Sequence, residues 1–230
     1  MIRRRGCRHA AALYIKKMKY DHVIWDFNGT VLDDMQVGID SVNQMLAARG
    51  LPTLSGVTEY RAAFDFPVED YYRRLGFDFD REDFKTCLAP LWVSLYEQNE
   101  WRAPLFAGVE PLARALRANG VKQSILSASE SVMMRRQLQA RNALDWFDEI
   151  WGSDCIHAYG KEGLAAAWRA AHPDAVAVVI GDTVHDFTVA QAMGADCVLV
   201  AAGHHSYERL ISCGAPVVED LFACAKLLLS

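Results

Sequence analysis

Several features that would identify other classes of protein are missing from this chain. Its 230 residues carry 24 Lys and Arg against 29 Asp and Glu, for a net charge of −5. There is therefore no positive excess of the kind that nucleic acid binding requires, and we expect no nucleic acid partner. The six cysteines show neither a CxxC motif nor close pairing with histidine, which argues against a structural zinc site. They are typical of small buried residues in a reducing compartment, and we expect a cytoplasmic protein.

A long apolar run is also missing. Near the beginning of the chain, six basic residues surround a short apolar stretch at 10–15, namely Arg3, Arg4, Arg5, Arg8, Lys16 and Lys17. That stretch is too short for a transmembrane helix or an ordinary signal core, so we expect no stable membrane association. We predict that residues 1–17 are a flexible basic extension or the result of a start codon upstream of Met18. Weak binding to an anionic surface is the alternative.

The hydrophobic residues that are present make up 52% of the chain, enough for a sizeable core plus one insertion. Apolar runs and helical periodicity alternate through the second half. Strands are predicted at 121–126, 147–151, 176–180 and 197–201, and helices at 131–140, 161–172 and 186–193. This alternation predicts an α/β fold with a parallel sheet and right-handed crossovers.

Between an apolar run at 23–25, which predicts the first strand, and Pro104, the spacing of apolar residues becomes helical. Breaks at 49–52 and 76–81 predict three or four helices there. The return to the core is predicted to be a helix that buries Leu112, Ala115 and Leu116 and ends at Gly120. We therefore divide the chain into an α/β core at 18–32 and 104–230 and an inserted helical cap at 33–103.

Polar residues directly follow three of the apolar strands. Asp26 follows 23–25, Ser127 follows 124–126 and Asp182 follows 176–181. Each of these residues alone is more often a helix cap or a turn former. The carboxyl ends of parallel strands, however, lie at one edge of the sheet, where open α/β sheets bind ligands. Their joint occurrence beside glycines favours a single site.

These residues belong to four short motifs. The segment DFNGT contains Asp26, Gly29 and Thr30, and the segment GDTVHD contains Asp182 and Asp186. Ser127 and Lys161 lie between them, with Lys161 34 residues after Ser127 and 21 before Asp182. In order and spacing the set resembles the four motifs of the haloacid dehalogenase superfamily of hydrolases. The resemblance runs from about residue 19 to the end of the chain and is nearest to the phosphoglycolate phosphatase group.

The resemblance implies a fold and a reaction. The fold is a Rossmannoid parallel sheet with an α-helical cap inserted after the first motif. The reaction is hydrolysis of a small phosphorylated metabolite, in which Asp26 attacks phosphorus and forms an aspartyl phosphate. Ser127 and Lys161 would bind the phosphoryl oxygens, and the amides of Gly29 and Thr30 would contribute to the same site. The protein would be a monomer or a homodimer.

The resemblance also implies Mg²⁺ as cofactor. This ion prefers hard oxygen ligands and keeps several waters, so one or two carboxylates and a carbonyl suffice. Asp26, the main-chain carbonyl of Asn28 and Asp182 would be the ligands. Asp186 would be a further ligand or would hold a metal-bound water.

The chain departs from the family pattern at two positions. Lys161 is followed by glutamate in GKEG, where the family normally has proline. Asn28 stands where phosphatases of the superfamily usually have the aspartate that protonates the leaving oxygen and then activates water. An amide cannot transfer those protons, and general acid and base catalysis typically contributes about 10² to 10⁴ in rate.

Asn28 leaves four explanations open. The chain could act on substrates with good leaving groups, such as acyl or aryl phosphates, or it could be an inactivated enzyme. It could also bind phosphorylated metabolites without turnover, as a regulatory protein. Deamidation of the bond between Asn28 and Gly29 would restore a carboxylate, although a structured turn suppresses that reaction.

Other residues have ordinary alternatives. Ser127 could cap the helix predicted to begin near Ser131, and Lys161 could be a solvated residue at a helix start. The three histidines His185, His204 and His205 are expected to be exposed loop residues rather than a set of ligands. In the predicted cap, Tyr71, Tyr72, Arg73 and Arg74 could face an anionic substrate or could lie on a helix surface.

Two other reactions of the superfamily fit less well. Dehalogenation needs no metal, which would leave Asp182 and Asp186 without a chemical purpose. Phosphonate cleavage requires a cap lysine that forms a Schiff base, and positions 33–105 contain only Lys85.

Overall fold

The computed structural model describes residues 18–154 and 161–230, so the predicted basic extension at 1–17 lies outside the described residues. The strands are β1 (His22–Trp25), β2 (Lys122–Glu130), β3 (Glu149–Ser153), β4 (Ala177–Gly181), β5 (Asp196–Val200) and β6 (Val217–Val218). They form one sheet in the order β3-β2-β1-β4-β5-β6, and every pair of neighbours is parallel. The predicted parallel α/β architecture is confirmed.

The α-helices alternate with the strands in the core and follow one another in the insertion. They are α1 (Met35–Ala47), α2 (Val57–Ala63), α3 (Val68–Arg74), α4 (Ala89–Glu97), α5 (Val109–Ala118), α6 (Ser131–Ala140), α7 (Glu162–Ala171), α8 (Val184–Met193), α9 (Tyr207–Leu210) and α10 (Leu221–Leu229). In the described part of the chain, no helix is both long enough and apolar enough to cross a membrane.

The sheet is buried because side chains cover both of its faces. On one face, Trp25 packs in a cluster with residues of α5, α6 and α10. On the other face, Ile24 packs with residues of α7 and α8, including the fully buried Trp168. Alternate residues of β1 thus serve opposite faces, as strand geometry requires.

The helices α1 to α4 enclose a third cluster of buried residues, which includes Met45, Tyr72, Phe84 and Leu88. A five-residue π-helical turn at Phe84–Leu88 leads directly into α4. The predicted helical cap is therefore present. The division into domains at residues 33 and 103 stays an interpretation.

Helix α5 differs slightly from its prediction. Leu112 and Leu116 are buried as predicted, and the helix also buries Val109 and Ala113, whereas Ala115 is only partly buried. Gly120 follows the helix with a φ of +75°, which is the left-handed conformation that glycine adopts readily.

The central position of β1 determines what meets at the carboxyl edge of the sheet. Trp25 at the end of β1 is in register with Ile125 of β2 on one side and with Ile180 of β4 on the other. The residues that follow these three positions are therefore brought together at one edge.

Candidate active site

Four charged side chains from separate segments meet at the carboxyl edge of the sheet. Asp26 follows β1, Asp182 follows β4, Asp186 lies in the first turn of α8, and Lys161 is the residue before α7. All four side chains are buried. One oxygen from each of the three carboxylates lies within 4.8 Å of the others. The convergence expected from the strand-end positions is thus present.

Lys161 joins two of these carboxylates. Its Nζ lies 2.6 Å from Oδ1 of Asp26 and 2.6 Å from Oδ1 of Asp186. Burial alone would lower the pKa of Lys161, but the two carboxylates outweigh it and raise the pKa above its usual value. A lysine at a helix start opposes the helix dipole. The two ion pairs supply the reason for its position, and the solvated alternative is wrong.

Asp26 and Asp182 are carboxylates crowded into a buried site. Burial, followed by the charge of Asp186, raises the pKa of Asp26 well above its ordinary value and that of Asp182 to about 7. The carboxylate of Asp26 contacts Lys161 and the amide of Phe27, and both contacts are made to Oδ1. Among the described residues, Oδ2 of Asp26 has no hydrogen-bond or ion-pair partner.

Asp182 is held by the loop that carries the first motif. Thr30 Oγ1 donates to Oδ1 of Asp182 at 2.7 Å, and the amide of His204 donates to Oδ2 at 2.6 Å. Gly29 lies against Oδ2 with a φ of +76°, and a Cβ at that position would collide with the carboxylate. The glycine is therefore required both by its conformation and by the space available.

Asp186 is the most constrained of the three carboxylates. Its Oδ1 binds Lys161, while its Oδ2 accepts hydrogen bonds from the amides of Asp182 and Thr183 and from Thr183 Oγ1. Thr183 and Asp186 form a capping box at the start of α8. Burial opposes ionisation of Asp186, but Lys161 and Thr183 lower its pKa below the ordinary value. In this arrangement Asp186 orients Lys161 and the first turn of the helix.

Ser127 is buried near the end of β2, at the same edge of the sheet. Its Oγ accepts a hydrogen bond from the amide of Ser129 at 3.2 Å. Helix α6 begins after Glu130 and has no side-chain cap, so Ser127 does not cap that helix. The capping alternative for Ser127 is wrong.

Asn28 is fixed at both ends of its side chain. Its Nδ2 donates to Oδ2 of Asp34 at 2.6 Å, and its Oδ1 accepts from Ser129 Oγ at 2.6 Å. Asp34 also accepts hydrogen bonds from Tyr96 OH at 2.8 Å and from the amide of Gly29 at 3.2 Å. The buried carboxylate of Asp34 can lie this close to the side chain of Asn28 because Nδ2 of Asn28 donates a hydrogen bond to it. An amide therefore fits this environment better than a second carboxylate would.

The histidines differ from their predicted exposure. His204 and His205 are buried, and His185 is half-buried. His204 Nδ1 lies 2.8 Å from Tyr60 OH, and His205 Nδ1 accepts from the amide of Val184 at 3.0 Å. Burial lowers the pKa of His204, and that of His205 to about 4, so both are neutral at pH 7. Because they follow β5, the strand-end argument used for Asp26 could have located them.

The cap contacts the core beside the carboxylates. Arg61 of α2 donates from Nε to the carbonyl of Gly203 at 2.8 Å and from an Nη to that of Ala202 at 2.8 Å. Arg209 forms an ion pair with Asp65 at 2.6 Å. Sequence reasoning missed these residues, because the partners are loop carbonyls and loop side chains without a local pattern.

A cavity of about 160 Å³ lies between the cap and this carboxylate cluster. Asp26, Ser127 and Lys161 line its core side, and Tyr71 and Tyr72 are among the residues that line its cap side. Arg73, Arg74 and Lys85 are exposed, and none of the three lines it. Phosphonate cleavage requires a cap lysine that forms a Schiff base with the substrate, and no lysine of the cap lines this cavity.

Two curated bacterial proteins named as phosphatases are similar to this chain over most of its length. The chain is 23% identical over 207 residues to a protein named "Probable phosphatase IndB" of Dickeya dadantii, covering 87% of this chain and 90% of that protein. It is 24% identical over 211 residues to a phosphoglycolate phosphatase of Pseudomonas putida, covering 87% and 77% of the two chains.

Among solved structures, a haloacid dehalogenase-like family hydrolase from Streptococcus pneumoniae superposes with a TM-score of 0.77 at 19% identity. The superposition covers 91% of this chain and 98% of that one. The family model described as haloacid dehalogenase-like hydrolase matches residues 23–200. The match includes Asp26, Ser127, Lys161, Asp182 and Asp186, and the chain belongs to the haloacid dehalogenase-like hydrolases.

Proposed function

We propose that this protein is a Mg²⁺-dependent phosphatase that hydrolyses a small phosphate monoester through an aspartyl phosphate on Asp26. The observation that carries the proposal is the burial of Asp26, Asp182 and Asp186 around the single ammonium group of Lys161. The curated relatives named as phosphatases support the same reaction class.

The residues at this site fit a magnesium ion. Three buried carboxylates face one ammonium group, so the cluster carries excess negative charge at the pH where all are ionised. Mg²⁺ is bound in proteins by one or two carboxylates together with substrate phosphate and water. Asp26, the carbonyl of Asn28 and Asp182 would hold the ion, with Asp186 supporting them through Lys161. When bound, Mg²⁺ supplies positive charge to the phosphoryl oxygens and orients them for attack.

The protein side chains would divide the work of phosphoryl transfer. Oδ2 of Asp26 attacks phosphorus, and the bond between phosphorus and the leaving oxygen breaks, with its electron pair going to that oxygen. Lys161 and Ser127 stabilise the charge on the phosphoryl group as it is transferred. Attack of water on the aspartyl phosphate then releases inorganic phosphate and regenerates the carboxylate of Asp26.

Asn28 would orient groups in this reaction without transferring a proton. With Ser129 and Asp34 holding both ends of its amide, the side chain cannot act as acid or base. We therefore infer slow turnover of substrates whose leaving oxygen must be protonated.

We also infer a cytoplasmic location. The four cysteines in the described part of the chain are free thiols, as is usual in a reducing compartment.

The test is hydrolysis of p-nitrophenyl phosphate and acetyl phosphate with and without Mg²⁺. We expect turnover that requires Mg²⁺ and that is lost in Asp26→Asn but kept in Asp174→Asn, which removes an exposed carboxylate. Mass spectrometry of the quenched wild-type reaction should detect one phosphoryl group, absent from Asp26→Asn.

A second candidate is a protein that binds phosphorylated metabolites without hydrolysing them. The fixed amide of Asn28 is the observation that favours it. This candidate predicts that p-nitrophenyl phosphate and acetyl phosphate are hydrolysed no faster than the background rate, while inorganic phosphate still binds to the wild-type protein.

A further inference from the structure

We propose that the substrate of this site is the phosphate monoester of a small one-ring phenol, that is, an aryl phosphate. The inference rests on the proposed phosphatase function and names its substrate class. It is drawn from the cap side of the cavity and from the missing proton donor.

The cap side of the cavity is lined by aromatic rings. They include Tyr60, Phe64, Phe66, Tyr71, Phe84 and Trp92. Several of them meet edge to face, as aromatic pairs prefer: the ring centroids of Phe64 and Tyr71 are 5.3 Å apart, and those of Phe64 and Phe66 are 5.5 Å apart. An aromatic ring in the cavity would join an existing ring cluster.

The charge of the cavity also selects its occupant. Among the described residues, Lys161 is the only lysine or arginine in the lining, and it already pairs with Asp26 and Asp186. A carboxylate on the leaving group, as in phosphoglycolate, would therefore be buried against aromatic rings without a counter-charge from these residues. Burying an unpaired charge is strongly unfavourable.

The size of the cavity is suited to one ring. Its volume of about 160 Å³ includes the space beside Asp26, Ser127 and Lys161 where the phosphoryl group would bind, so the leaving group is limited to one ring. An engineered apolar cavity of about 150 Å³ in another protein binds benzene. The buried hydroxyl of Tyr71, which has no hydrogen-bond partner among the described residues, could bind a polar substituent on that ring.

The chemistry at position 28 favours the same class. When Asp26 attacks phosphorus, the bond to the leaving oxygen breaks and its electron pair goes to that oxygen. A phenolate carries this charge without a proton and takes one from solvent after it departs. An alkoxide requires a proton donor that Asn28 cannot supply. The cavity and the reaction therefore favour an aryl leaving group for independent reasons.

The experiment compares three substrates with the wild-type protein and Mg²⁺: phenyl phosphate, benzyl phosphate and 2-phosphoglycolate. Benzyl phosphate and 2-phosphoglycolate both release alkoxides, so their comparison tests the aromatic cavity. Phenyl and benzyl phosphate both carry a ring, so their comparison tests the leaving group. We expect kcat/KM to fall in the order phenyl, benzyl, 2-phosphoglycolate, with about 100-fold or more between the first two.

Turnover of 2-phosphoglycolate equal to or faster than that of benzyl phosphate would overturn the aryl assignment while leaving the phosphatase function intact. Hydrolysis of none of the three, nor of acetyl phosphate, would instead overturn the phosphatase function itself.

A variant tests the same inference from the cap. Val68 lines the cavity, and Val68→Arg would place a cation there, with Val68→Leu as the matched apolar control. The measured quantity is kcat/KM for 2-phosphoglycolate divided by kcat/KM for benzyl phosphate. We expect Val68→Arg to raise this ratio by about tenfold or more and Val68→Leu to leave it nearly unchanged. An unchanged ratio in a folded Val68→Arg protein would count against selection by the cap lining.

Discussion

Replacement of Asn28 by aspartate would restore the usual proton donor of phosphatases in this superfamily, but it would place that group beside another carboxylate. In the present structure the amide Nδ2 lies 2.6 Å from Oδ2 of Asp34 and supplies the hydrogen between them. In Asn28→Asp two carboxylate oxygens would face each other at about that distance. The substitution therefore changes both the reaction and the stability of the protein.

The size of the stability effect follows from this geometry. Two unit charges 2.6 Å apart, the distance between Nδ2 of Asn28 and Oδ2 of Asp34, repel by about 6 kcal/mol at an effective dielectric constant of about 20. The pair avoids most of this repulsion by sharing one proton, which raises the pKa of the new carboxyl group in the folded state. We expect the free energy of unfolding to fall by about 2–4 kcal/mol at pH 8. Because the folded state would bind the proton more tightly than the unfolded chain, the loss should shrink as the pH is lowered.

The effect on the reaction has the opposite sign. A carboxyl group that keeps its proton near pH 7 is suited to protonate an alkoxide. We expect Asn28→Asp to raise kcat/KM for benzyl phosphate by about 100-fold and that for phenyl phosphate by less than about tenfold.

Urea unfolding at pH 6 and pH 8, together with steady-state kinetics on both substrates, measures the two effects. The double variant Asn28→Asp/Asp34→Asn is the control, because it restores one amide and one carboxylate to the pair. It should recover most of the lost stability. An Asn28→Asp protein with unchanged stability, or with equal gains on both substrates, would refute the reasoning.

Three further predictions concern the cap, the core and the metal. Arg61→Met removes charged hydrogen bonds to the carbonyls after β5, each of which contributes about 1.5–3 kcal/mol. We therefore expect KM for phenyl phosphate to rise by about tenfold, with a smaller change in kcat. An unchanged KM would mean that these bonds do not hold the cap against the core. Burial lowers the pKa of His22 to about 4, so on acidification the unfolded chain binds this proton before the folded protein does. The free energy of unfolding should therefore fall between pH 6.5 and pH 4, by up to about 3 kcal/mol from this group. Urea unfolding over this pH range should show a smaller decrease for His22→Gln than for the wild-type protein. Mg²⁺ at about 100 times its dissociation constant should stabilise the folded protein by about 2.7 kcal/mol and raise its melting temperature. The rise should be lost in Asp182→Asn and kept in Asp174→Asn. The opposite result would place the ion at another site.

The parallel sheet could be predicted because its strands are short apolar runs separated by helices of regular periodicity. Helix α6 was predicted at its observed bounds, and strand β4 within one residue, since both depend on local pattern. The two-residue strand β6 was not predicted, because its pairing with β5 depends on a distant segment.

The candidate site divides in the same way. Asp26 and Asp182 could be located because they follow apolar strands, and parallel strands end at one edge. The buried His204 was wrongly expected to be exposed, although it also follows a strand. Its contacts come from Tyr60 in the cap and from Asp182, neither of which is near in sequence.

By itself, the sequence determined the alternation of strands and helices, the residues at the carboxyl edge and the absence of an acid at position 28. These depend on residue type and on period, which are local properties. Only the tertiary structure decided that Asp34 and Ser129 fix the amide of Asn28, that Lys161 joins two carboxylates, and that aromatic rings of the cap face the cluster. Such contacts join residues far apart in the chain, and their distances exist only after the helices have packed against the sheet.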